Sequence, residues 1–223
     1  MRTKSETRRQ AILDVAARTF RELGFERTSM SEICARVGGS KATLYNYFSS
    51  KEELFFEVMF IATEAEFEAT HACLDPAADH VAQALLAFGQ RLLRLIYSPK
   101  ILPVRRLLIA ESGRSDIGRL CYERGPKRSH AMLAEFLRTA MSQGKLRDAD
   151  ENVAARHLHG LLEAELFECH LFFMQETVTE AEIEGCTQRA IEVFMAAYGP
   201  AKQIPSKTSR VKTNTACRAR VKR

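Results

Sequence analysis

One short run, Lys41-Ala42-Thr43-Leu44-Tyr45-Asn46-Tyr47-Phe48, concentrates the side chains of this 223-residue chain that are best suited to chemistry. Lysine and asparagine hydrogen-bond to base edges, a threonine methyl can lie against a thymine methyl, and tyrosine hydroxyls reach phosphate oxygens. Wound as a helix, the run turns Leu44 and Phe48 inward, against Ile33, Val37 and a preceding helix. Lys41, Thr43, Asn46 and Tyr47 are then left on the outer side, with Tyr45 at its margin. Lys41 and Asn46 are expected to read bases, while Tyr45 and Tyr47 hold the backbone.

The other reactive residue types form no comparable pattern. The six cysteines are scattered without a C-x-x-C pair, as expected for reduced, buried thiols. His159 and Glu163 have helical i, i+4 spacing, but no third ligand type gathers near them in sequence, so no metal is expected. A phosphate-cradling glycine loop, H-E-x-x-H and G-x-S-x-G are all missing, so neither an enzyme nor a cofactor is expected.

Several helices must position the run. Apolar residues recur at three- and four-residue steps from Glu6 to Leu23, and Gly24 closes that helix. Ser29 and Glu32 form an S-x-x-E start ahead of Ile33, Ala35 and Val37. Gly38-Gly39 allows a tight reversal, and Ser40 can cap the helix from Lys41 to Phe48, its free amides facing a phosphate. Two short helices around a glycine turn, braced by a longer one, make a helix-turn-helix. Beyond Ser49-Ser50 the periodicity predicts helices at about 51–73, 79–96, 101–124 (broken near Ser112-Gly113), 127–143, 152–175 and 179–198. No β alternation is visible, and an all-α protein follows. The domains are read as 1–50 (helix-turn-helix), 51–200 (larger helical domain) and 201–223 (a basic, disordered tail).

Charge divides in the same way. Residues 1–51 hold ten Lys/Arg against five Asp/Glu, residues 52–200 fifteen against twenty-three, and the tail eight against none. A basic head on an acidic body points the head at a polyanion. No apolar run is long enough to cross a membrane and the start lacks a signal-peptide pattern, so a cytoplasmic protein is expected.

The stretch from Phe25 to Phe55, FERTSMSEICARVGGSKATLYNYFSSKEELF, resembles the DNA-binding domain of the TetR/AcrR family of bacterial transcriptional regulators. The matching features are Gly24-Phe25, Thr28-Ser29-Met30, Ser40-Lys41-Ala42-Thr43-Leu44-Tyr45, Tyr47-Phe48 and Lys51-Glu52. Leu107 to Arg124 and the Gly38-Gly39-Ser40-Lys41 turn look like the AefR-like branch. The resemblance implies that Thr43, Tyr45 and Tyr47 touch DNA, that Lys51 contacts a phosphate, and that Thr28 and Ser29 lie where a capped helix end meets the backbone. Gly39 departs from the family, which often carries a small aliphatic residue there, and a looser turn is the expected consequence.

The resemblance also implies a homodimer on double-stranded DNA, paired through the helices near 152–175 and 179–198. Surplus apolar residues there agree with this: Leu158, Leu161, Leu162, Leu166, Phe172 and Phe173 in one, and Ile183, Cys186, Ala190, Val193, Phe194 and Ala197 in the other. It implies a cavity for a small apolar or amphipathic ligand as well, with Phe88, Leu92, Leu108, Glu111, Met132, Phe136, Leu161 and Glu165 as candidate lining. Leu107, Phe167, Glu163, His130, His157 and His170 are further candidates. The expected function is a nucleoid-associated repressor released from a palindromic operator by its ligand. A constitutive dimeric DNA-binding protein without a ligand, and an activator, remain the alternatives.

Overall fold

The computed structural model describes residues 4–200 except 76, 78, 114, 115 and 176. The tail assigned to 201–223 lies outside the described residues. Among them the secondary structure is helical: α1 (Lys4–Arg27), α2 (Met30–Val37), α3 (Lys41–Tyr47), α4 (Lys51–His71), α5 (Val81–Ile96), α6 (Leu102–Glu111), α7 (Ile117–Arg124), α8 (Pro126–Ser142), α9 (Glu151–Glu163), α10 (Phe167–Leu171) and α11 (Glu180–Tyr198).

Local sequence accounts for most of the boundaries. Ser29, Ser40 and Ser50 each cap a helix by accepting from the backbone N–H three residues on. Only half of the expected Ser29–Glu32 box forms, because the Glu32 carboxylate turns to Arg36 at 2.7 Å. The reciprocal box appears instead at Thr179 and Glu182, at the start of α11. Gly24 has φ +78°, as a left-handed stop requires, yet one further turn follows it within α1.

The helix expected over 152–175 is broken. α9 stops at Glu163, and α10 starts at Phe167 after a turn that buries Leu166 in the main core. Tertiary packing overrides the continuous helical periodicity there.

Two cores result. The smaller joins α1, α2, α3 and the start of α4 through Ile12, Phe20, Ile33, Leu44, Phe48, Leu54 and Val58. The larger joins α5, α8, α9 and α11 around Phe88, Leu133, Leu158 and Phe194. A third, small cluster of Phe56, Val104, Leu108 and Ile117 lies between α4, α6 and α7. Helix α4 thus belongs at once to the head and to the body. No helix among the described residues is long and apolar enough to cross a membrane.

Candidate nucleic-acid interface and sensor cavity

In the head, Leu44 and Phe48 fill the core and leave Lys41, Tyr45 and Asn46 exposed and Thr43 and Tyr47 half-buried. Ser40 Oγ accepts from the Thr43 N–H at 3.1 Å and lies 2.9 Å from the Thr43 hydroxyl. Thr28 is buried and donates its hydroxyl to the Gly24 carbonyl at 2.7 Å. Ser29 is exposed at the start of α2. Lys51 Nζ donates to the Phe25 carbonyl at 3.0 Å and sits 4.0 Å from the centre of the Phe25 ring, so in the free protein it ties α4 to the end of α1.

The turn with the unusual glycine is braced. Arg8 donates to the Gly38 carbonyl, and a Cβ on Gly39 would lie 2.6 Å from the Arg8 guanidinium. Gly39 makes room for an arginine that fastens α1 over the turn. The Cys34 thiol adds a bond to the Gly39 carbonyl at 3.3 Å.

In the body, a cavity of about 700 Å³ opens between α4, α5, α6, α8, α9 and α10. That size lies within the usual range for small-molecule sites. Its walls are mostly apolar, with Phe56, Phe60 and Phe67 from α4 facing Leu92, Leu108 and Phe167. Of the eight candidates, Leu92 and Leu108 share this wall; Phe88, Glu111, Met132, Phe136, Leu161 and Glu165 lie away from it. Phe88 and Phe136 are core residues, and Glu165 pairs with Arg189 at 2.6 Å on the surface. The further candidates Phe167, Glu163 and His130 do line it; His157 instead bonds Tyr198 at 2.6 Å.

Sequence reasoning missed the contribution of α4. Its signal was a crowding of Phe55, Phe56, Phe60 and Phe67, more aromatic surface than one buried stripe of a connecting helix needs.

Besides Arg156 and Glu168, two clusters of polar side chains line the cavity. At one end Glu163 accepts from Tyr97 Oη at 2.9 Å and from Arg105 at 2.6 Å. Burial, and then the neighbouring Glu163 charge, push the Tyr97 phenol well above its usual range, so Tyr97 stays a neutral donor. At the other end lie Ser129, His130 and His159. Burial, helped by His130 and His71, lowers His159 to about 3 and keeps it neutral. Burial also lowers His130 and His71. His159 and Glu163 bond in different directions, and among the described residues no three His, Cys, Asp or Glu side chains gather as a metal site would need.

One ion cluster spans the two domains. Glu57 of α4 is buried, and its carboxylate takes Arg9 of α1 at 2.6 Å and Arg124 of α7 on its other oxygen. Arg9 lies over the Phe48 ring at 5.2 Å, and Arg124 over the Phe60 ring at 5.3 Å. Phe48 ends the exposed helix α3, and Phe60 lines the cavity.

A capped short helix with an exposed polar face on a basic head, joined by one helix to a hollow helical body, defines a helix-turn-helix DNA-binding regulator. The comparisons agree on the class. Residues 83–200, more than half of the chain, match the family described as AefR-like transcriptional repressor, C-terminal domain. Residues 12–58 match the family described as bacterial regulatory proteins, tetR family. The structure is similar to that of a TetR-family protein from Mesorhizobium loti MAFF303099 (TM-score 0.74, 29% identity, 89% of this chain and 100% of that one). It is also similar to the flavonoid-responsive regulator FrrA (TM-score 0.65, 31% identity, 88% and 99%). Likeness to curated relatives is shorter. The HTH-type transcriptional regulator AcrR of Shigella flexneri is 41% identical over 59 residues, which are 26% of this chain and 27% of that one. The chain therefore spans about a quarter of that relative's length. The protein belongs to the TetR family of transcriptional regulators, which bind DNA.

Proposed function

We propose that this regulator is a homodimeric repressor whose operator affinity falls when a small molecule enters the α4–α9 cavity. The observation that carries the reading is the double membership of α4: Leu54 and Val58 lie in the head's core, while Phe56, Phe60 and Phe67 line the cavity. A ligand that binds better to an α4 position in which the two heads are mis-spaced will release DNA, and only that difference in affinity matters. Lys41 and Asn46 read bases from the major groove, while Ser29, Ser40, Thr43, Tyr45, Tyr47 and Lys51 set the register on the backbone. Lys51 exchanges its Phe25 carbonyl for a phosphate on docking. The buried Thr28 holds the end of α1 instead of meeting DNA.

Repression is favoured by the likeness of residues 83–200 to AefR-like repressors. An apolar aromatic ligand is favoured by the phenylalanine-lined walls and by the likeness to a flavonoid-responsive regulator. The protein acts at the nucleoid, in the cytoplasm. Gel-shift titration of a captured operator with and without such a ligand tests the reading; equal affinity under both conditions would refute it.

Dimerisation falls to α9 and α11. Most of the apolar residues expected to pair the copies, among them Leu158, Leu162, Ile183 and Phe194, are spent on the chain's own core. Val153 of α9 and Val193 of α11 stay exposed, as do Phe172, Phe173 and Met174 after α10. A two-fold interface over these residues sets the heads about one DNA turn, ~34–36 Å, apart. Val193→Glu would bury two uncompensated carboxylates per dimer, a cost of roughly 3–5 kcal/mol. Light scattering should then find monomer at concentrations where the natural protein is dimer.

A further inference from the structure

The chain from His71 through Ser129 to His159, beside the cavity, has a fixed hydrogen-bond polarity. Nδ1 of His71 lies 2.8 Å from the Phe67 carbonyl, which can only accept, so Nδ1 carries the ring's proton. Nε2 of this neutral ring is therefore a lone pair. The Ser129 hydroxyl, 2.8 Å away, must donate to it. With its one proton spent, Ser129 Oγ can only accept from His159 Nε2, at 3.3 Å. His159 is then the Nε2–H tautomer, and its Nδ1 is a bare acceptor.

Nδ1 of His159 bonds to no described residue, and it is not among the buried polar atoms left without a partner. The residue lines the cavity. The ring is held edge-on by His130 at 4.3 Å between centroids and backed by Phe88 at 6.0 Å. Turning the ring over would break the contact with Ser129.

The charges lining the cavity balance. Arg105 is committed to Glu163, and Arg156 and Glu168 add one charge of each sign. Arg156 bonds the Asn152 carbonyl through Nε at 3.3 Å. The inner wall therefore offers an acceptor without surplus positive charge. An anion placed at His159 would face a lone pair.

We propose that the cavity selects a neutral hydroxylated aromatic ligand, whose O–H donates to Nδ1 of His159 while its apolar body lies among the α4 phenylalanines. An ether of the same body, which has no proton to give, binds more weakly, and a carboxylate more weakly still. The inference rests on the cavity being the effector site. Ser129 and His71 act as positioning residues that fix the tautomer. A site built around an acceptor discriminates against an analogue that lacks the donor, because the buried acceptor is left unpaired.

The test uses the full chain and three probes of one shape: 4-phenylphenol, 4-methoxybiphenyl and biphenyl-4-carboxylate. Calorimetry should find the phenol bound about ten- to a hundredfold more tightly than the ether, with the carboxylate weakest. His159→Phe should bring the phenol down to the affinity of the ether. In long-range ¹H–¹⁵N spectra the unprotonated His159 Nδ1 resonance should shift with the phenol and stay in place with the ether. In Ser129→Ala the two tautomers of His159 should mix, and part of the preference for the phenol should go. Equal binding of phenol and ether, or tighter binding of the carboxylate, would overturn the inference and leave the cavity as effector site. If none of the three bound, the effector-site reading would fall and this inference with it.

Discussion

Replacing Lys41 and Tyr47 together by alanine should lower operator affinity about a thousandfold while leaving the fold intact. Lys41 is exposed at the start of α3, and Tyr47 is half-buried at its end, 3.5 Å from the Ser5 hydroxyl. Lys41 stands clear of the buried core of Ile12, Ile33, Leu44 and Phe48 that holds the head together, and Tyr47 packs against that core only from its rim. A base or phosphate contact contributes about 1–3 kcal/mol, and a dimer loses each one twice. Even at the lower figure, four lost contacts come to roughly 4 kcal/mol, which is about three decades in Kd. Fluorescence anisotropy at fixed salt measures the loss, and a thermal melt of the double variant should keep one cooperative transition, only slightly below that of the natural protein because Tyr47 is half-buried. A loss below tenfold would mean that α3 is not the element in the groove.

Glu57→Gln should separate DNA binding from its control. The carboxylate is 7% exposed and joins Arg9, beside Phe48, to Arg124, beside the cavity residue Phe60. Glutamine keeps the shape and removes the charge that holds both arginines. Operator affinity should stay within a few-fold, because no residue assigned to DNA changes. The ratio of affinities without and with 4-phenylphenol should shrink toward one, from a coupling that typically spans about 5- to 150-fold. Stability should fall as well. Losing one partner of a buried pair costs about 3–5 kcal/mol, but the two guanidiniums are 30% and 37% exposed and water takes up part of the loss. About 1–3 kcal/mol is the expected remainder, seen as a lower midpoint in urea. An unchanged ratio of affinities would show that Glu57 stabilises the joint without carrying the signal.

The head was legible in the sequence because its determinants are local. Ser29, Ser40 and Ser50 cap helices whose N–H groups lie three residues away, and Leu44 and Phe48 share a face by helical period alone. The family resemblance rested on the same short stretch. The cavity was harder to read. Phe88 and Leu92 sit one turn apart on α5 and both belong to the buried core, yet only Leu92 also lines the cavity. Periodicity says which face of a helix is buried, but not whether side chains or a void lie opposite. That depends on how α4, α6 and α9 splay, which no local pattern records. The same holds for the chain from His71 through Ser129 to His159, whose members lie 58 and 30 residues apart. The break between α9 and α10 was hidden too, because burying Leu166 outweighed an unbroken helical pattern.

Genome-wide capture of DNA fragments by the purified protein, with and without Lys41→Ala/Tyr47→Ala, tests the central claim most directly. The account predicts a few palindromic sites, with half-sites about one helical turn apart, that disappear with the double variant. Diffuse, salt-sensitive binding that survives it would contradict the account, because contact would then rest on the basic charge of residues 1–51 and 201–223 and not on the face of α3.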